Sequence, residues 1–231
     1  MTYSYFPGCS LKGTAKGLEE GLVKIFSALG DKLVEIPEWN CCGAFEFGAK
    51  EKILALSSVN IEKGRGISEV FLVPCPACFR NLKEAKGTAV SILHPLEVLS
   101  RPPVWDRLNT KRDLKGVPFT PYYGCILLRP KEFALQADEP MEEVILRLGG
   151  KIGASQVKSQ CCGGNLFFKE LEVVKRLANK VLDGAERNVV TFCPLCYLVL
   201  RTFSNRDGHR IFYLTDLILY AMGEEEIEFF L

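Results

Sequence analysis

The sequence predicts an α/β fold written twice, with a mainly parallel sheet in each half. Three observations carry this. Short β-type runs alternate with helix-type runs along the chain, a five-cysteine pattern occurs twice in the same order, and a proline-flanked basic stretch separates the two copies.

The elements follow in order. Thr2–Phe6 is aromatic and β-branched, reads as the first strand, and ends at Gly8-Cys9. Leu18–Leu29 and Lys50–Lys63 carry apolar residues three and four apart and read as helices. Glu69–Val73 is a compact apolar strand ending at Cys75, and Pro76 opens a short amphipathic helix that runs to about Ala85. The second half repeats the series: a strand over Phe119–Tyr123 ending at Gly124-Cys125, helices over Pro140–Leu148 and Leu166–Leu182, a strand over Asn188–Phe192 ending at Cys193, and a helix from Pro194 to about Thr202. Four cysteines therefore sit just past the carboxyl ends of strands. That is where open α/β sheets place their binding crevice, so each half is expected to form one site there.

The cysteine pattern sets the domain organisation. Cys9 is followed by 31 residues, Cys41-Cys42, 32 residues, and Cys75-Pro-Ala-Cys78; Cys125 is followed by 35 residues, Cys161-Cys162, 30 residues, and Cys193-Pro-Leu-Cys196. No cysteine lies outside it. The offset between copies is 116, 120 and 118 residues at Cys9/Cys125, Cys41/Cys161 and Cys75/Cys193, a drift that small loop insertions explain. Between the copies, Arg101-Pro-Pro to Val117-Pro118 reads as a connector, giving an N-terminal domain over 1–104, a linker over 105–117 and a C-terminal domain over 118–231.

Composition bounds the function. A length of 231 residues with 48% hydrophobic content supplies a core for two domains. Lys+Arg 29 against Asp+Glu 28 leaves a net charge of +1, so no nucleic-acid partner is expected. The N-terminus lacks the basic and apolar regions of a secretory signal, which points to a cytoplasmic protein. Ile211–Met222 is apolar but interrupted by Asp216 and shorter than the roughly 20 residues of a spanning helix, so membrane contact would be peripheral and made through a partner.

In a reducing compartment, clustered thiols bind metal or do redox chemistry more readily than they form structural disulfides. Proline after Cys75 and Cys193 suggests that these two cap helices, with Cys78 and Cys196 in the first turn, where the amides favour thiolate. The vicinal pairs are followed by glycine, read here as letting backbone approach a bulky ligand. Adjacent sulfurs suit two neighbouring metal ions. Zinc in a four-cysteine site, leaving one thiol spare per half, is the alternative. Five thiolates also exceed what an ordinary cubane cluster takes.

Other residues carry less. His94 reads as a capping or edge histidine and His209 as a surface-loop residue. Arg107, Lys111, Arg112 and Lys115 read as a solvated basic connector. The Glu224–Glu226 run and the apolar end after it read as a tail that docks a partner or as a frayed or packed terminus.

The order Cys, long gap, Cys-Cys-Gly, gap, Cys-Pro-x-Cys resembles the CCG-domain cysteine-rich proteins, and the chain is similar to the B-type subunits of heterodisulfide reductases. Tyr123-Gly-Cys-Ile-Leu-Leu-Arg-Pro130, Cys161-Cys-Gly-Gly164, Cys193-Pro-Leu-Cys196 and Leu214–Gly223 extend the likeness through the second half. The resemblance implies two pseudo-symmetric Rossmann-like domains and two non-cubane [4Fe-4S] clusters. One would be held by Cys9, Cys41, Cys42, Cys75 and Cys78, the other by Cys125, Cys161, Cys162, Cys193 and Cys196. It implies an oxidoreductase acting on sulfur groups within a complex. Its partners there would be an iron-sulfur protein of the C type, a flavin protein of the A type, and a thiol or disulfide substrate. Opening a disulfide needs two electrons, which two one-electron centres supply. Ile126 stands where related sequences often carry a polar residue, commonly histidine, and the chain is short for the methanogen protein. Related proteins of sulfur-oxidising complexes run the chemistry toward oxidation. Others transfer electrons without a substrate of their own in lactate-, glycolate- or quinone-linked enzymes.

Overall fold

The computed structural model describes residues 1–44, 49–85, 89–153, 156–204 and 208–230. The N-terminal half holds β1 (Thr2–Tyr5), β2 (Lys32–Glu35), β3 (Val70–Leu72) and β4 (Ser91–Leu93), in the order β2-β1-β3-β4. The C-terminal half holds β5 (Pro118–Tyr122), β6 (Lys151–Ile152), β7 (Asn188–Thr191) and β8 (Arg210–Tyr213), in the order β6-β5-β7-β8. Every pairing is parallel, and the registers correspond: Ser4 lies opposite Phe71 and Thr120 opposite Val189. Parallel strands need crossovers, so helices cover both faces and the central strands read as apolar runs. In β7 all four residues are buried.

The helices are α1 (Gly8–Lys12), α2 (Lys16–Ala28), α3 (Lys50–Arg65), α4 (Pro76–Ala85), α5 (Pro95–Leu99), α6 (Pro102–Trp105), α7 (Pro140–Arg147), α8 (Leu171–Asp183), α9 (Pro194–Phe203) and α10 (Leu214–Met222). Their buried stripes have helical spacing: Leu18, Leu22, Ile25 and Phe26 in α2, and Val174, Ala178, Val181 and Leu182 in α8.

The halves interlock. α10 crosses α2 at Gly21, where an added Cβ would come within 3.0 Å of Leu219 and 3.3 Å of Thr215, and α5 packs on α7. A late helix of each half thus covers the first long helix of the other. One continuous core runs from Tyr3 and Phe26 through Leu96 to Leu217 and Met222, so the duplicated halves share an interior.

Two expectations are corrected, and one of the readings given for the terminus is the one found. The helix expected over Leu166–Leu182 begins only at Leu171; residues 164–166 form a 3₁₀ turn, and Glu170 at φ −135, ψ 62 breaks the path. The apolar period persists across that break because Leu166 and Phe167 pack beside the second cysteine set without being α-helical. The connector is docked, not merely solvated: Val104, Leu108 and Leu114 are buried, and Trp105 Nε1 donates to the Leu99 carbonyl at 2.9 Å. Arg107 reaches the Leu29 carbonyl and the buried Asp31, and Arg112 pairs with Glu226. The terminus is packed: Phe229 meets Phe119, Phe212 and Tyr220 edge-on or tilted, and Asn188 holds the Phe230 backbone through two hydrogen bonds.

The apolar stretch Ile211–Met222 resolves into β8 and α10, and among the described residues no helix is long and apolar enough to cross a membrane. His209 is half-buried; Asn205–Asp207 before it lie outside the described residues.

Candidate metal centre

The carboxyl edges of both sheets open on one cleft of about 610 Å³. Nine of the ten cysteines line it: Cys9, Cys42, Cys75 and Cys78 from the N-terminal half, and Cys125, Cys161, Cys162, Cys193 and Cys196 from the C-terminal half. Cys41 is the one that does not, and its sulfur accepts from Gly43 N at 3.4 Å. Separate sites, one per half, are what the sequence suggests; the structure brings both sets to a common space.

Local chemistry explains how each sulfur arrives there. Gly8 and Gly124 leave β1 and β5 at φ +73 and +70 and turn the chain so that Cys9 and Cys125 follow at once. Both glycines lie against the last sulfur of their own half: an added Cβ would sit 2.9 Å from Cys78 Sγ at Gly8 and 3.1 Å from Cys196 Sγ at Gly124. A side chain at either position would displace a thiol. Cys193 caps α9 as expected, its sulfur accepting from Cys196 N at 3.4 Å with Pro194 at the first helical position.

The vicinal pairs adopt matching geometry. Gly163 N donates to Cys161 Sγ at 3.3 Å as Gly43 does to Cys41, while the second sulfur of each pair turns inward, Cys42 to 3.2 Å from Cys78 and Cys162 to 3.4 Å from Cys196. Gly43 and Gly164 line the cleft, and the first glycine after each pair also meets a helix. A Cβ at Gly43 would strike Ile53 at 2.9 Å, and one at Gly163 would meet Leu177 and the Val174 backbone, so these residues let the loop press onto α3 and α8.

The sulfurs set one another's protonation. Hydrogen bonding from Cys41 and then Cys78 pulls Cys42 down to about 4, while Cys42 pushes Cys41 up. The Cys125 thiol draws Cys161 down to about 6 and is itself pushed up; Cys196 lowers Cys162 and is raised in turn. Cys75 is lowered chiefly by Cys78, not by helix amides alone, and Cys78 is held well above the ordinary thiol value. Burial raises Cys9. In each half, sulfurs held toward thiolate thus sit beside sulfurs held toward thiol. A cation among them relieves the mutual repulsion, and thiolate donors select soft, thiophilic metals. Among the described residues no three His, Cys, Asp or Glu side chains gather around one point as a single ion would require. The sulfurs ring a space.

Several supporting residues escape sequence reading. Asn81 Nδ2 donates to the Cys42 carbonyl at 2.9 Å, and Tyr122 O–H donates to the Gln160 carbonyl at 2.7 Å beside Cys161. The Arg129 guanidinium helps to hold Cys161 down. Their only sequence signal is a fixed offset from a cysteine: Asn81 three after Cys78, Tyr122 three before Cys125. His94 does cap α5, with Nδ1 3.3 Å from Leu96 N and Nε2 3.0 Å from the Pro74 carbonyl.

Comparison with known proteins follows the same division. The model of the CCG cysteine-rich domain matches residues 3–83 and again 119–201, one match to each five-cysteine set. The chain belongs to the CCG cysteine-rich domain family. It is similar, at 22% identity over 262 residues, to the 8-methylmenaquinol:fumarate reductase membrane anchor subunit of Wolinella succinogenes, covering 96% of this chain and 92% of that protein. Among solved structures this CCG protein aligns with a glutamate racemase isoform of Bacillus anthracis (13% identity, 96% of this chain and 80% of that one, TM-score 0.40). It also aligns with an aspartate racemase homologue of Pyrococcus horikoshii (12% identity, 97% and 98% coverage, TM-score 0.33).

Proposed function

We propose that this CCG protein is the electron-transfer iron-sulfur subunit of a quinone-linked oxidoreductase complex. The ten cysteines would hold two clusters, Cys9, Cys41, Cys42, Cys75 and Cys78 for one and Cys125, Cys161, Cys162, Cys193 and Cys196 for the other. The observation that carries the proposal is the shared cleft, which sets the two sulfur sets face to face. Membership of a cysteine-rich family and likeness to a component of a quinol-linked reductase support it. The relative is a membrane anchor subunit, so attachment to a membrane through a complex is part of the reading. The clusters would supply one-electron redox steps. The chain's own residues hold and shield them: Asn81 and Gly43 fix the Cys41-Cys42 loop, Tyr122 and Arg129 flank Cys161 and Cys162, and the interlocked helices keep the halves in register.

A second reading is thiol or disulfide conversion at the same sulfurs, with iron-sulfur and flavin proteins of the complex as electron donors. The cleft favours it, because it lies between the two sulfur sets and is lined by both.

Anaerobic purification followed by iron, acid-labile sulfide and zinc assays tests the first part. About eight irons per chain is the expected result for two four-iron clusters, and two zincs without sulfide would overturn it. Replacing Cys42 or Cys162 by serine is expected to remove about half of that iron and leave the other half's paramagnetic signal intact. Unchanged iron and spectra in both variants would remove the vicinal cysteines from the ligand set. A panel of thiols and disulfides then separates the readings: spectral perturbation by any of them favours direct chemistry, and none favours electron transfer alone.

A further inference from the structure

We propose that Arg80 is the seat for the anionic group of a small ligand that enters the thiol-lined cleft. Three observations point to it.

The first is a missing partner. Arg80 lies in α4, lines the cleft and is half-buried, and its Nε is fully enclosed without an acceptor. A buried guanidinium donor left unmade is expensive, and guanidinium forks match carboxylate, sulfonate and phosphate oxygens in two parallel bonds. The neighbouring cation does not share this condition, since Lys50 is paired with Glu84 on the same wall.

The second is asymmetry between halves that otherwise repeat. Two residues after the last cysteine, Arg80 in the N-terminal half is matched by Leu198 in the C-terminal half. Asn81 is matched by Val199, and Glu84 by Thr202. The first residue of α3, Lys50, is matched by Leu171 at the start of α8. Among the described residues, all charged groups on the cleft other than the thiols therefore belong to one wall: Lys50, Arg80 and Glu84. Lys50 and Glu84 pair with each other, so among the described residues Arg80 is the cation on that wall with no carboxylate partner. The C-terminal half keeps its own cation, Arg129, near Cys161 but outside the cleft lining, so a guanidinium that lines the cleft in one copy only fits a ligand with a charged end and an uncharged end.

The third is the opposite wall. Ile126, Leu195 and Asn165 line the cleft from the C-terminal half, which brings no charged side chain other than its thiols to the lining. The ligand class that fits is an organic anion with a short apolar or thiol-bearing tail, charged end on Arg80 and tail toward Ile126. This goes beyond electron transfer, because it gives the cleft a dissociable occupant. It rests on the cleft being the redox site, which the iron assay tests separately.

Calorimetric titration of the full, anaerobically purified chain tests the inference. The probe is 3-mercaptopropionate, with 3-mercaptopropanol as its uncharged match. Iron content and circular dichroism are measured on every protein used. The wild type is expected to bind the anionic probe roughly tenfold or more tighter than the neutral one, Arg80→Gln to lose that preference, and Arg80→Lys to recover part of it. Equal affinity of the wild type for both probes, no binding of either, or an Arg80→Gln variant that keeps the preference would each overturn the proposal. So would a spectral change in Arg80→Gln without loss of preference, which would assign the guanidinium to the metal centre instead. A wild-type protein that fails the iron assay but shows a charge preference lost in Arg80→Gln overturns the cluster reading and leaves Arg80 as an anion seat.

Discussion

Gly124→Ala is expected to destabilise the protein by about 2–4 kcal/mol and to reduce metal content in the C-terminal half alone. Two effects add. The residue sits at φ +70, where an L side chain costs roughly 1–2 kcal/mol, and its new methyl would stand 3.1 Å from Cys196 Sγ. Cys196 is buried in the α9 first turn and packed by Cys162, so the few tenths of an ångström that its sulfur must give disturb its place in the cleft. Gly8→Ala is its mirror in the other half, with the methyl 2.9 Å from Cys78 Sγ. Gly30→Ala provides the control: φ is the same at +70, but nothing lies within 4 Å of the added carbon, so it carries the backbone penalty only. Urea unfolding gives the stabilities and iron per chain gives the occupancy. If Gly124→Ala matches Gly30→Ala in stability and retains full iron, the close approach of glycine to sulfur has no part in shaping the site.

Much of this site is legible in the sequence because cysteine spacing is a one-dimensional signal that survives folding. The strands ending at Cys9, Cys75, Cys125 and Cys193 are readable, and so is the capping role of Cys193, since proline at the next position has few other uses. Two edge strands of each sheet are not. β6 is Lys151–Ile152 with both residues exposed, and β4 is Ser91–Leu93; such segments are strands because a neighbour offers hydrogen bonds, and no pattern records that. The merging of the two sulfur sets into one cleft is likewise hidden. It depends on α10 lying across α2 and α5 across α7, contacts between residues nearly 200 positions apart in the first case. The connector misleads because Arg107 and Arg112 look solvated until Asp31 and Glu226 are brought to them. Arg80 escapes notice for the opposite reason: a lone arginine in an amphipathic helix is ordinary, and its meaning comes from the leucine at the matching position of the second copy.

Acid is expected to loosen the junction between the halves through His94. The ring is fully buried between Phe79 and Phe192, with Nε2 at the Pro74 carbonyl and Nδ1 accepting from Leu96 N. Both nitrogens are satisfied in the neutral form, with the proton on Nε2 as the hydrogen-bond partners require. Burial pushes the imidazole down to about 3. In the unfolded chain it titrates near 6.5. The unfolded state therefore takes the proton first on acidification. The contribution to stability is complete above about pH 6.5 and is lost as pH falls toward 3, at about 1.4 kcal/mol per pH unit. Between pH 7 and pH 4 the wild type should lose about 3 kcal/mol more than His94→Asn, which keeps an acceptor at the helix cap and does not titrate. Carboxylates contribute to both profiles and cancel in the difference. Unfolding midpoints in urea at the two pH values give the result, and parallel profiles would show that His94 is not the group that acid attacks. The consequence reaches the cleft because Pro74 and Phe192 immediately precede Cys75 and Cys193. A charged imidazole between them would part the two cysteine-bearing turns at the seam where the halves meet.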